Sequence, residues 1–126
     1  MVDSTKDAET GRNPAGEMLT FAIDAELARA RSQPQWSSGD RVAHSLVKHR
    51  DLTVTALLLR KGAHLREHHA PGSIAVQVLS GAIRFTAAGS ANTLTPGMVC
   101  VLDREVPHAV EALEESAILL TASLPS

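Results

Sequence analysis

Four of the six histidines lie between positions 64 and 108, namely His64, His68, His69 and His108. A neutral imidazole can bind a transition metal such as Zn, Cu, Fe or Ni, and it can also donate or accept hydrogen bonds. The sequence therefore allows two kinds of polar site, a metal centre or a hydrogen-bonding site.

A catalytic metal usually has three protein ligands and one open position. His68 and His108 supply two ligands. His64 shares the face of His68 on an ideal strand, but about 13 Å separates them at ~3.3 Å per residue unless the strand bends or bulges. His69 is nearer and points to the opposite face unless a bulge lies at His68-His69. If a divalent metal (Fe, Mn, Ni, Cu or Zn) is bound, we expect His68 and His108 to hold it, completed by His64 or His69.

The alternative is that these histidines are hydrogen-bonded polar groups in or near a pocket. His108, Val110 and Ala112 share one face of a predicted strand, so the imidazole of His108 points with apolar side chains. A buried imidazole whose nitrogens lack partners costs about 1–3 kcal/mol. A bound ligand, a water molecule or a metal could each supply a partner.

The composition limits the classes of partner. The 126 residues fit one domain, and a net charge of −2 with only 2% aromatic residues gives no basis for nucleic-acid or anionic-membrane binding. Cys100 is the only cysteine, which favours a reducing compartment, and it is expected to be a small buried hydrophobic residue. No apolar run approaches the ~20 residues of a membrane-spanning helix, so we predict a cytoplasmic protein.

Short runs typical of β-strands follow one another from residue 41 onward. They are separated by turn-forming residues such as Pro71-Gly72 and Pro96-Gly97. Eight or nine strands spaced by about 8–12 residues predict an antiparallel sandwich or barrel. The predicted strands begin at residue 41 and then span 52–59, 63–69, 74–80, 82–87, 91–94, 98–102, 107–113 and 116–123.

The N-terminal third of the sequence lacks the regular succession of strands and turns that follows residue 41. Residues 1–17 are polar and are predicted to form a disordered, flexible tail. Residues 18–40 are predicted to form an arm with a strand over 18–23, a short helix over 25–31 capped by Asp24, and a loop over 32–40 anchored by Trp36. Residues 41–124 then form the barrel.

Two motifs resemble those of the cupin superfamily, small conserved-barrel proteins. Gly62 is followed after five residues by His68 and later by Gly81, and a Pro96-Gly97 turn leads to His108. The resemblance implies an all-β double-stranded β-helix (a jelly-roll barrel), commonly dimeric. In many cupins three histidines and one glutamate hold a divalent metal in the barrel.

The chain departs from this pattern at two of the four ligand positions. Ala70 stands where the second histidine is expected, and Ile74 stands where the glutamate is expected. If Ile74 faces inward, Val76 and Val78 share its face, and Val110 joins them beside His108. These four residues are predicted to line an apolar pocket with His68 and His108 as its polar groups, as in many small-molecule sites.

Two functions remain open from the sequence. The first is binding of a small organic molecule in the barrel, with or without a divalent metal held by histidines. The alternative is a metal-dependent cupin enzyme of the dioxygenase, isomerase or decarboxylase type. A third hypothesis is a purely structural barrel whose interior is filled by side chains. The resemblance and the apolar run of residues 57–59 also predict a homodimer.

Overall fold

The computed structural model describes residues 18–124, which form two short helices followed by nine strands. The helices are α1 (Ile23–Arg31) and α2 (Pro34–Ser38). The strands are β1 (Arg41–Lys48), β2 (Leu52–Leu59), β3 (His64–His68), β4 (Ile74–Ser80), β5 (Ile83–Ala87), β6 (Ser90–Leu94), β7 (Val99–Leu102), β8 (His108–Ala112) and β9 (Ser116–Ser123). The predicted tail over 1–17 lies outside the described residues.

The strands form two antiparallel sheets that enclose an apolar interior. The five-stranded sheet has the order β1-β2-β9-β4-β7, and the four-stranded sheet has the order β3-β8-β5-β6. Chain neighbours often lie in different sheets, as in a jelly roll. The all-β double-stranded β-helix prediction is confirmed, and every predicted strand from residue 41 onward is present to within a few residues.

Strict alternation of side chains explains why these strands make a barrel. On β4, the inward residues Ile74, Val76 and Val78 are buried, whereas Gln77 between them is exposed. Inward residues of β2 to β9 form one core cluster between the sheets. Burial of this cluster on both sides of the interior holds the two sheets face to face.

The segment before β1 differs from its prediction. Residues 18–22 form no strand, because Leu19 and Phe21 pack against the outer face of the five-stranded sheet beside α1. Ala22 is the N-cap of α1 and makes no side-chain capping bond, so Asp24 lies inside the helix instead of capping it. The predicted loop 32–40 contains α2, which begins at Pro34, a residue favoured at a first helical position.

The helices cover half of the outer face of the five-stranded sheet. Leu27 and Ala30 of α1 pack with Trp36 of α2 on outward residues of β1 and β2, such as Val42 and Leu58. No helix within residues 18–124 has the length and apolar character that crossing a membrane requires.

A buried polar network fastens α1 to β1. The ring of His44 lies between Glu26, with 3.1 Å from Nε2 to Oε1, and Gln33, with 3.1 Å from Nδ1 to Nε2. Glu26 also forms an ion pair with Arg29. Because Glu26 and His44 are both buried, each partner offsets the cost of removing the other from water.

Replacing Gly81 is expected to destabilise the fold more than replacing Gly62. Both glycines have a positive φ, +85° and +87°, so an alanine at either position costs about 1–2 kcal/mol of strain. A Cβ at Gly81 would in addition overlap the Glu115 carbonyl and the Ser116 side chain, whereas one at Gly62 meets no atom within 4 Å. We predict that Gly81→Ala lowers the free energy of unfolding by a further ~1–3 kcal/mol relative to Gly62→Ala. Urea denaturation measures both variants, and equal losses would contradict the prediction.

Candidate functional site

Two loops and the strand ends that they join define one end of the barrel, called the mouth below. Residues 69–73 connect the end of β3 to the start of β4, and residues 103–107 connect the end of β7 to the start of β8. His68 ends β3, and His108 begins β8. The topology therefore places both histidines at the mouth.

The two histidines are direct partners across neighbouring strands. His68 lies opposite His108 in the β3–β8 pairing, and their ring centroids are 4.2 Å apart with an interplanar angle of 59°. Residues forty positions apart in the sequence thus form one pair of imidazoles.

An irregularity in β3 decides which face His68 occupies. The pairing passes from Leu65 opposite Val110 to His68 opposite His108, so β3 has one more residue than β8 over this step. Such a bulge moves the following side chain to the other face. His68 therefore shares the inward face of Leu65 and Val110.

The same irregularity separates His64 from His68, which corrects the expectation that the two share a face. His64 lies opposite Glu111, whose side chain is on the outer face of the sheet with that of Arg84. The carboxylate of Glu111 lies 3.0 Å from Arg84 and 3.9 Å from the ring of His64. The bulge precedes His68, whereas the sequence suggested one at His68-His69.

His69 belongs to the rim of the mouth. Its Nδ1 lies 2.9 Å from the carboxylate of Glu105, and both side chains are more than half exposed. The backbone N–H of Glu105 donates to the Ala70 carbonyl at 2.8 Å, so the two loops of the mouth are joined. Glu105 has a φ of 64°, a conformation that is uncommon for a residue other than glycine.

Backbone carbonyls fix the tautomers of both inner histidines. Nδ1 of His68 lies 2.8 Å from the Arg66 carbonyl oxygen, and Nδ1 of His108 lies 3.1 Å from that of Val106. A carbonyl oxygen can only accept, so each Nδ1 carries the hydrogen and donates it. In a neutral ring the Nε2 atom then has a lone pair and acts as an acceptor or a metal ligand.

The two rings differ in their exposure to solvent. His68 is exposed, whereas His108 is only 4% exposed and stacks on Phe85 with ring centroids 5.5 Å apart. Burial of the ring is the main cause that lowers the pKa of His108, and the nearby His68 and His69 act in the same direction. The hydrogen bond to Val106 opposes this shift. His108 is therefore held in its neutral form.

The donor atoms at the mouth do not make a complete metal site. His68 and His108 contribute two imidazoles, and Ala70 and Ile74 have no donor side chain. Within residues 18–124 no group of three or more His, Cys, Asp or Glu side chains has the arrangement to hold a metal ion. A resident metal with three protein ligands does not fit these residues.

The four predicted lining residues, Ile74, Val76, Val78 and Val110, all face the interior and are buried in its core cluster. They lie at different depths. Ile74 is beside the mouth, opposite Leu102 in the β4–β7 pairing, whereas Val78 is in the filled far end of the barrel.

Exposure of inward side chains rises from the far end toward the mouth. At the far end Leu59 and Ile83 are completely buried. Nearer the mouth, inward side chains that pack against the same core are only half-buried, and these are Ala70, Ala87, Cys100, Leu102, Leu120 and Ala122. Several inward side chains are therefore partly exposed at the mouth, called the open end below, whereas those at the far end are fully buried.

Sequence reasoning missed Thr53 and Thr55 of β2. They share the inward face of Leu57 by alternation, lie opposite Ala122 and Leu120 of β9, and are half-buried. The period-two alternation of β2 could have predicted that both threonines face the interior. They add two hydroxyl groups to the open end of the barrel.

Comparison with known proteins gives matches among solved structures. No protein-family model and no curated protein matches the chain. A conserved protein of unknown function from Streptococcus pyogenes is 30% identical, with a TM-score of 0.65 over 68% of this chain and 75% of that one. A cupin 2 conserved barrel domain protein from Leptotrichia buccalis is 33% identical, with a TM-score of 0.63 over 70% of this chain and 42% of that one.

More distant matches share the fold. A salicylate 1,2-dioxygenase mutant from Pseudoaminobacter salicylatoxidans is 20% identical, with a TM-score of 0.63 over 79% of this chain and 31% of that one. Further matched structures are cupin-superfamily proteins, among them RmlC-like cupins.

The lowered pKa of His108 predicts a specific dependence of stability on pH. The unfolded chain binds the proton more readily than the folded one, so the stabilisation is complete above the ordinary histidine pKa of about 6.5 and is lost as the pH falls through the lowered value. We expect His108→Gln to flatten the fall in unfolding free energy below about pH 6.5. Urea denaturation across this range tests it. Ala91→Gln, at an exposed position of the edge strand β6, changes no titratable group, so it is the control and should keep the wild-type slope.

Proposed function

This chain belongs to the cupin superfamily, and we propose that it binds a small organic molecule in the open end of its barrel. The observation that carries the proposal is the pair of inward imidazoles, His68 and His108. Both rings are oriented by backbone carbonyls so that Nε2 is an acceptor, and both lie above an apolar interior.

The surroundings of this pair have the make-up of a small-molecule site. Such sites are concave and mostly apolar, with a few polar groups that orient the ligand. Half-buried Leu102, Leu120 and Ala122 would supply apolar contact on the five-stranded sheet. His68 and His108 would supply directional contacts from the four-stranded sheet.

A metal-dependent cupin enzyme is the second candidate, and one observation favours it. Metal-binding histidines generally donate their other ring N–H to a carbonyl or carboxylate, which is how Nδ1 of His68 and His108 is bonded. The donor set is nevertheless short of the three protein ligands of a usual catalytic site. Likeness to the dioxygenase is at the level of the fold.

Replacing His68 with alanine is expected to weaken ligand binding by about 3- to 10-fold, the effect of losing one hydrogen bond of ~0.5–1.5 kcal/mol. Because His68 is exposed, the variant should fold normally. A mixture of small aromatic and aliphatic compounds is screened by NMR against protein purified without a His-tag, and hits are titrated. His64→Ala is the matched control, since it lies on the same strand and faces outward.

Two results would contradict the proposal. Hits that bind His68→Ala as tightly as the wild type would place the site elsewhere. Elemental analysis after incubation with Zn, Ni, Fe, Mn and Cu distinguishes the metal-dependent enzyme from a binding protein without metal. A metal-to-protein ratio near one that His108→Ala abolishes would favour the metal-dependent enzyme.

The apolar run of residues 57–59 no longer supports a homodimer. Leu57 and Leu59 belong to the barrel core, and Leu58 lies beneath α1 on the outer face. The run is apolar on both sides because each face of β2 is covered within one chain.

A different surface provides the grounds on which we propose a homodimer. β7 is at one edge of the five-stranded sheet, and its outward Val99 and Val101 are 59% and 72% exposed. The neighbouring outward residues on β4 and β9 are uncharged, and they are Ala75, Gln77, Leu119 and Thr121. A second copy would meet this face without like-charge repulsion, and antiparallel pairing of two β7 edges has the two-fold symmetry of a closed dimer.

Val101→Lys is expected to convert the dimer to a monomer, because it places a like charge on each side of the two-fold axis. Sedimentation equilibrium at micromolar concentration measures the mass, for which a single chain is 13.3 kDa. Ala91→Lys, on the exposed edge strand β6 of the other sheet, is the control and should stay dimeric. A wild-type mass of one chain would refute the dimer.

A further inference from the structure

We infer that the molecule bound at the mouth is uncharged, with a hydrocarbon body and a hydroxyl group that donates to the Nε2 atom of His68 or of His108. The inference rests on the proposed function, since it specifies the ligand of the same site. Three features carry it: the tautomers of the two rings, the absence of interior charge and the position of the charged groups at the rim.

The tautomers require a ligand that donates hydrogen bonds. With Nδ1 of each ring donating to a backbone carbonyl, Nε2 carries no hydrogen whenever the ring is neutral, and it can then only accept. Turning either ring into an Nε2 donor would leave the carbonyl of Arg66 or Val106 without this bond. A hydroxyl group can donate to one ring, and its oxygen can still accept from water or from a threonine.

The interior offers no charge to pair with a charged ligand. On β2 and on β4 to β9, all within the described part of the chain, no residue facing the interior is Asp, Glu, Lys or Arg, and the charged residues Arg66 and Glu67 in the irregular step of β3 are exposed. Burial keeps His108 neutral, so it does not act as a cation either. A carboxylate entering this space would find neither a cation among these residues nor a hydrogen-bond donor at Nε2 of the neutral imidazoles, and an ammonium group would exchange its hydration for a few neutral acceptors. Either charge therefore enters at a large cost in free energy.

Charged groups near the mouth stand at its rim, in contact with solvent. Glu105 and His69 pair with each other, and Arg66, Glu67 and Arg104 are exposed. An ion pair made there by a charged ligand would be screened by water and would contribute little. The rim therefore does not offset the cost of a buried charge.

The filled far end limits how deep the ligand reaches. Leu59, Val78 and Ile83 leave the far end closed, so the hydrocarbon body would contact the half-buried residues Leu102 and Leu120 nearer the mouth. Thr53 and Thr55 on the same sheet could bond a second hydroxyl group. The structure thus favours a small alcohol or phenol over an organic acid or amine.

Three probes of similar size, benzyl alcohol, benzoate and benzylamine, test the inference because they share the phenyl ring and differ in the head group. Each probe is titrated into protein labelled with ¹⁵N at histidine. The pH is about 7.5, at which a histidine with the ordinary pKa is mostly neutral. We expect benzyl alcohol to shift the Nε2 signals of His68 and His108 and to bind at least ~10-fold more tightly than the charged probes, which corresponds to about 1.4 kcal/mol. The His64 signals should not move, and His68→Ala should weaken binding of the alcohol.

Each remaining outcome overturns a defined statement. Tighter binding of benzoate or benzylamine at the same two rings overturns the ligand class and leaves the proposed function standing. Free-protein spectra that place the hydrogen on Nε2 overturn the acceptor argument in the same way. If none of the probes at millimolar concentration moves the His68 and His108 signals, the ligand class and the proposed binding function both fail.

Discussion

The extra residue in β3 between Leu65 and His68 is the constraint on which the site depends. It shifts the alternation of side chains between the two faces of the sheet. His68 therefore faces the interior opposite His108, while His64 lies on the outer face with Glu111. A regular strand would place His64 and His68 on one face and would leave His108 without its partner. One local irregularity thus determines which pair of the histidines forms a site.

The interior around this pair has two functions at its two ends. At the far end, close packing of Leu59, Val78 and Ile83 joins the sheets and stabilises the barrel. At the mouth, inward side chains remain half-buried and leave apolar surface in contact with water. Surface of that kind would give a hydrophobic gain if a ligand covered it, so under the proposed function stability and binding come from different layers of one core.

The outer face of the five-stranded sheet is also divided into two parts. α1 and α2 bury the outward residues of β1 and β2, and the Glu26–His44 pair fixes α1 in place. This half of the sheet is closed by the chain itself. The other half ends in the exposed valines of β7 and remains available for association.

Most of the fold was predictable because its signals are local. Short alternating or apolar runs marked most strands from residue 41 onward, and turn-forming residues, glycine and proline among them, marked the breaks between strands. The N-terminal segment was predicted less well, since residues 18–22 are apolar for packing beside α1 and not for pairing in a sheet. The burial of Glu26 with His44 left no mark in the sequence, because a helical carboxylate and a strand imidazole are far apart along the chain.

The sequence by itself determined the all-β fold and the inward direction of His108, because alternation is a property of single strands, and the resemblance to the cupins implied the loss of metal donors at Ala70 and Ile74. Only the tertiary structure decided that His68 joins His108, that His64 and His69 lie outside the pair, and that Thr53 and Thr55 lie toward the mouth. These outcomes depend on the register between strands and on a bulge. Neither follows from residue type, since both arise from pairing with a strand that is distant in sequence.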